Sequence, residues 1–107
     1  MHPDQLLPII DAVVAELTGV DVHQRTRKRN VVDARRLLTA IAHRRGVRPS
    51  AIASHLCVDR QVVYHYVATH YLLPPALIRI AEERVNERIV EALQRESSEQ
   101  LHAWSPA

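Results

Sequence analysis

Ser50-Ala-Ile-Ala-Ser-His-Leu-Cys-Val-Asp-Arg-Gln-Val-Val-Tyr-His-Tyr-Val67 is the stretch whose reading decides the fold. It reads as two short helices joined by a tight turn. Ile52, Ala53 and Leu56 fall at helical spacing and form the apolar face of the first. Cys57 and Val58 make the turn, with Val58 pointing back into the core. Asp59 can cap the second helix, because its carboxylate can accept the free amide hydrogens of the first turn. Val62 or Val63, and Tyr66 or Val67, give that helix its buried side. A small residue after Ile, Leu four on from it, Val two further and Val five further again is the helix-turn-helix pattern.

The composition around this stretch agrees with an all-α protein. A chain of 107 residues is long enough for one modest core. It is 47% hydrophobic with two Gly and no Phe, and alternating β-branched runs are few. The single Cys excludes an internal disulfide and suits a reducing compartment. No apolar run approaches the roughly 20 residues that span a bilayer. Met-His-Pro-Asp is not a charged leader before an apolar segment. The expected location is cytoplasmic.

Charge is distributed unevenly. The formal net charge is only +2, yet His23 to Arg60 holds ten basic residues against Asp33 and Asp59, a local charge of +8. From Ala76 onward, four Arg face six Glu. A basic centre followed by an acidic tail is the electrostatic footprint of a protein that meets a polyanion.

Two long helices precede the central stretch. Leu6, Ile9, Ile10, Val13, Val14 and Leu17 form the stripe of the first. Pro8 is tolerable only in a first turn, so this helix begins near Leu7, and Gly19 ends it. Arg25-Thr-Arg-Lys-Arg-Asn30 has no apolar residue to bury. Such a loop can lie along a phosphate backbone or put an Arg into a minor groove, where negative potential is focused. The second long helix covers Asn30 to Arg45, with Asn30 or Thr26 as its cap. Val31, Val32, Ala34, Leu37, Leu38, Ile41 and Ala42 make its buried side. Arg35 and Arg36 fall outside that side. Arg44 and Arg45 complement the macrodipole at its end. Gly46 closes the helix, and Ser50 is the expected cap of the next one.

The run T-G-V, R-T-R-K-R-N-V-V-D-A-R, L-L-T-A-I-A-H-R-R-G-V-R-P-S-A-I-A-S-H-L and V-D-R-Q-V-V-Y-H resembles the C-terminal DNA-binding domain of the bacterial replication initiator DnaA over about residues 8–68. The resemblance implies an Arg of the basic loop in a minor groove, matched by Arg27 with Arg29 beside it. It also implies phosphate contacts from Arg35, the Arg of the Ala-Arg pair, and from His43 with Arg44 next to it. The family's reading motif, Asp-His-Thr-Thr-Val, is replaced here by Asp59-Arg60-Gln61-Val62-Val63, after a turn one residue shorter. No glycine-rich phosphate loop is present, so the family's ATP-binding domain has no counterpart.

The second helix of the pair carries Arg60, Gln61, Tyr64, His65 and Thr69 off its apolar side. Arg60 can pair with guanine and Gln61 with adenine at their major-groove edges. Tyr64 and His65 are open to either role: Tyr64 can touch a base or a phosphate, or pack on a neighbouring helix with its hydroxyl outward. Arg25, Lys28, Arg36, Arg45, Arg48 and Ser50 complete the set expected at phosphate. No metal site is expected. His65 and His70 are five apart, and His55 and Cys57 flank the turn without a second Cys. No catalytic set can be assembled by spacing, so neither enzyme activity nor a cofactor is expected.

After Tyr71-Leu-Leu-Pro-Pro75 a third long helix runs from Ala76 to about Gln100, with Pro75 suited to its first position. Leu77, Ile78, Ala81, Val85, Ile89, Ala92 and Leu93 form its stripe. The stripe can pack back over the helix pair or join a second copy, and the helix length favours a homodimer. The end, Ser97 to Ala107 with Trp104, is expected to fray. The reading is thus an all-α DNA-binding unit over residues 1–70 and a C-terminal helix over 71–107. Its expected function is sequence-specific recognition of double-stranded DNA in transcription or replication control. The contrasting reading is an interaction module whose basic face docks an acidic partner.

Overall fold

The computed structural model describes residues 2–103, with side chains to Glu99. Among these residues every regular element is helical, in five α-helices and two 3-10 turns. They are α1 (Leu7–Thr18), α2 (Arg29–Arg44), α3 (Pro49–Leu56), α4 (Arg60–Ala68) and α5 (Pro75–Ala103). No described helix is long and apolar enough to cross a membrane.

The centre of the fold is α2. Leu37, Leu38 and Ile41 are fully buried and share one cluster with Ile10, Val13 and Val14 of α1. Ile52 and Leu56 of α3, Val63 of α4, and Ile78, Ala81 and Val85 of α5 close that cluster. Burial of each large side chain is worth about 1.5–3 kcal/mol, so α2 is the element the others share. Two residues outside the helices also seal the core, Val22 from the basic loop and Val47 from the α2–α3 connection.

Local chemistry sets the boundaries. A 3-10 turn over Pro3–Leu6 precedes α1, which puts Pro8 in the first turn, where its missing amide hydrogen is harmless. Gly19 ends α1 at φ 68°, and Gly46 turns the chain after α2 at φ 82°. Cys57 takes the left-handed conformation at the end of α3, φ 56°. That conformation is costly for a residue with a Cβ, and it is what makes the turn to α4 tight. Val58 then folds back to lie partly buried against the core. Of the alternatives open on α4, Val63 and Tyr66 are the buried pair.

The expected caps are corrected. Asp59 occupies the N-cap position of α4, but its carboxylate accepts no amide hydrogen from the helix. Lys28, not Thr26 or Asn30, precedes α2, and the Thr26 hydroxyl instead accepts the Lys28 amide hydrogen at 3.2 Å. Ser50 lies inside α3, behind Pro49, because Pro at the first position moves the cap back to Arg48.

Helix α5 is longer than expected, with 29 residues, about 44 Å at 1.5 Å per residue. Its first turns pack on α1 and α2 through Ile78, Ala81 and Val85. Glu16 of α1 accepts from Arg84 at 2.8 Å and from Arg88 at 2.6 Å, along the rim of that contact. Past the half-buried Ile89 the large apolar side chains Val90 and Leu93 are open, 52% and 47% exposed. The molecule measures 55 × 27 × 23 Å. The helix continues through Ser97–Ala103, where fraying was expected, while Trp104 lies outside the described residues.

Candidate nucleic-acid interface

Helix α4 exposes Arg60, Gln61, Tyr64 and His65 together. At 100° per residue these four span about 140° of the helix surface, opposite Val63 and Tyr66. Ala68 falls within the same arc and is also exposed, which leaves the middle of the face free of bulk. That residue carries no chemical signal in the sequence.

The basic loop stands beside the start of this helix. An open groove of about 700 Å³ has His23, Arg25, Thr26, Arg27 and Arg35 on one wall. Leu56, Cys57 and Val58, the turn between α3 and α4, form the other wall. Arg60 follows Val58 by two residues, so the loop cations and the first turn of α4 are neighbours. Arg25, Arg27, Lys28 and Arg29 are all exposed. Arg29 makes a loose contact with Asp33 at 3.9 Å, an exposed pair of little energetic value.

The loop owes its position to Arg35. The Arg35 Nε donates to the Val22 carbonyl at 2.8 Å and Nη1 to the Thr26 carbonyl at 3.3 Å. Nη2 donates to the Gln24 carbonyl. A guanidinium presents its N–H donors in a rigid fork, and here the fork is spread over three carbonyls of one loop. The residue expected to hold phosphate therefore holds the backbone that carries other cations, and only its outer edge adds charge to the groove.

Two further assignments are corrected. Arg36, expected outside the buried side of α2, is 7% exposed. Its Nη1 donates to Asp33 at 2.7 Å, its Nε donates to the Thr69 hydroxyl at 3.0 Å, and its guanidinium lies 5.6 Å from the centre of the Tyr66 ring. It is a strut between α2 and α4 and has no face for a phosphate. Arg45 is the equivalent strut to α5, donating to the Glu82 carboxylate and to Asn86, each at 2.7 Å. Its helix-end position suggested a solvent-facing cation, but the arrival of α5, distant in sequence, covers it.

The other expected phosphate groups are exposed in different places. His43 and Arg44 border hollows lined by Val67 and His70 and by Tyr71 and Arg79, at the far end of α4 from the basic loop. Arg48 is exposed and meets Asp4 at 3.2 Å at the start of α3, and Ser50 is exposed in the first turn of α3.

One cluster was not legible in the sequence. Asp11 of α1, His23 of the loop and His55 of α3 converge behind the groove, with both imidazoles on one carboxylate oxygen. The three residues are 12 and 32 positions apart, so no spacing rule joins them.

No family model matches the chain, and no curated protein or solved structure is significantly similar to it. The class therefore rests on the chain's own geometry: a small all-α protein whose tight helix pair is flanked by a basic loop.

Proposed function

We propose that the chain is a sequence-specific double-stranded DNA-binding protein of the DnaA-like helix-turn-helix kind, with α4 as its recognition helix. One observation carries the reading: the open face of α4 is flanked by cations at both ends. Arg25, Arg27 and Lys28 stand near its start, and Arg44, with the His43 imidazole beside it, near its end. Among the described residues, none of these five makes an ion pair with a carboxylate. A helix seated in the groove with cations toward both strands has this form. In this reading Arg60 and Gln61 read bases, and Tyr64 and His65 touch bases or phosphates. Arg27, with Arg29 beside it, enters the adjacent minor groove.

Selection of genomic fragments on the purified protein tests the proposal. We expect one short motif to be enriched. Arg60→Ala should relax the preference at a single base pair, worth about 1–3 kcal/mol of discrimination. Recovery of random fragments with no motif would reject sequence-specific binding and favour the docking of an acidic protein.

A second part of the reading is a homodimer through the C-terminal half of α5, supported by the open Val90 and Leu93. Such a dimer would read half-sites about 34 Å apart or a multiple of that. Sedimentation at micromolar concentration should give twice the chain mass. A mass near 12.2 kDa would remove the dimer.

A further inference from the structure

The geometry points to a divalent transition-metal site, of the zinc class, built from Asp11, His23 and His55. The three come from α1, the basic loop and α3. His55 Nε2 donates to Asp11 Oδ2 at 2.6 Å, and His23 Nε2 donates to the same oxygen at 2.7 Å. The imidazoles meet edge to face, with ring centres 5.0 Å apart, so both distal nitrogens aim at one point. All three potential ligand atoms lie within 4.8 Å of one another.

The dimensions suit a metal. Zinc takes imidazole nitrogen and carboxylate oxygen at about 2.0–2.2 Å, which sets tetrahedral ligand atoms about 3.4 Å apart. An ion entering between the three atoms replaces the two N–H···O bonds, each imidazole binding it through a deprotonated Nε2 as the Nδ1–H tautomer, and needs shifts of under about 1 Å to reach that spacing. Two imidazoles and one carboxylate form a donor set favoured by zinc and its neighbours over magnesium or calcium. The side chains of Asp11 and His55 are about 20% exposed and that of His23 is 43% exposed. The ion thus has a route in from solvent, and a water can complete its shell.

Part of the site is already positioned. Asp21 Oδ1 accepts the His23 backbone amide hydrogen at 2.9 Å, fixing the loop where the ring leaves it. The neighbouring Val22 is anchored in the core. Bound metal would clamp the loop to α1 and α3 at once. This assignment stands independently of whether the chain binds DNA.

The test uses the untagged, chelator-treated protein with zinc or cobalt(II) as the probe. Calorimetry should give one ion per chain with low-micromolar affinity, and cobalt(II) should develop the visible absorption of a low-coordinate site. Zinc should also raise the melting temperature. His23→Ala sits on an exposed loop, so folding should survive, and affinity should fall at least tenfold with loss of the thermal shift. Asp11→Asn should do the same, whereas His70→Ala should leave metal affinity unchanged. Binding that is equally tight in His23→Ala and Asp11→Asn would place the ion on other histidines and overturn the assignment. Affinity no better than millimolar in the wild type would also overturn it.

Discussion

Arg36→Ala is expected to destabilise the fold by about 2–3 kcal/mol, the cost of removing one partner from a largely buried, charge-assisted network. The substitution leaves the Thr69 hydroxyl without its Arg36 donor and removes the cation from the Tyr66 ring. It also leaves Asp33 without its closest partner. The Asp33 side chain is 39% exposed and can be rehydrated, which keeps the loss below the 3–5 kcal/mol typical of a fully buried orphaned charge. Urea unfolding monitored by circular dichroism measures the change. In a domain of this size each kcal/mol corresponds to roughly 4–8 °C in melting temperature. A phosphate-binding Arg36 would behave in the opposite way, with stability unchanged and only DNA affinity reduced. That outcome would refute the strut.

Arg35→Ala should leave the core intact and release the basic loop. Three carbonyls lose a charged donor in one step, and a single such bond is worth about 1.5–3 kcal/mol. An opening free energy lower by only 1.4 kcal/mol exposes the segment tenfold more often. Trypsin cleavage after Arg25, Arg27 or Lys28 under native conditions should therefore accelerate by about tenfold or more. Helical circular dichroism should change little. In DNA titrations, Lys28→Ala should lower the salt slope by about one unit, the value for one lost phosphate neutralisation. Arg35→Ala should lower it by more, because several loop cations lose their fixed places together. Equal trypsin rates in Arg35→Ala and the wild type would show that the three bonds do not hold the loop.

These two neighbours show where sequence reasoning succeeds and where it stops. Adjacent Arg residues in mid-helix are chemically identical in the sequence, and both were expected to face phosphate. A helix turns by 100° between them, so at most one can point along a given direction. Which one is buried depends on what packs there. Tyr66 of α4 and Thr69 just after it cover the Arg36 side of α2, while the carbonyls of the loop before α2 surround Arg35. The same reason separates Arg44 from Arg45: Glu82 and Asn86 of α5 bond Arg45, while Arg44 stays exposed at the edge of a hollow.

The helices themselves were legible because their causes are local. Apolar spacing, Pro8 and Pro75 in first turns, and Gly19 and Gly46 at helix ends each act within a few residues. Ile52, Ala53, Leu56 and Val63 are buried as the central stretch required. The capping assignments for Asp59 and Ser50 failed at that same local scale: the Asp59 carboxylate is not turned onto the helix it precedes, and Pro49 places Ser50 inside the helix it was expected to cap.

The sequence alone determined the all-α class, the tight helix pair at residues 50–67 and the placing of a basic loop before α2, since periodicity and turn chemistry are carried by neighbours in the chain. Tertiary structure alone decided which cations are struts and which are free. It also brought Asp11, His23 and His55 to one point. Both outcomes depend on pairs of residues far apart in sequence, and such pairs meet only when burial of the core fixes the helices against one another.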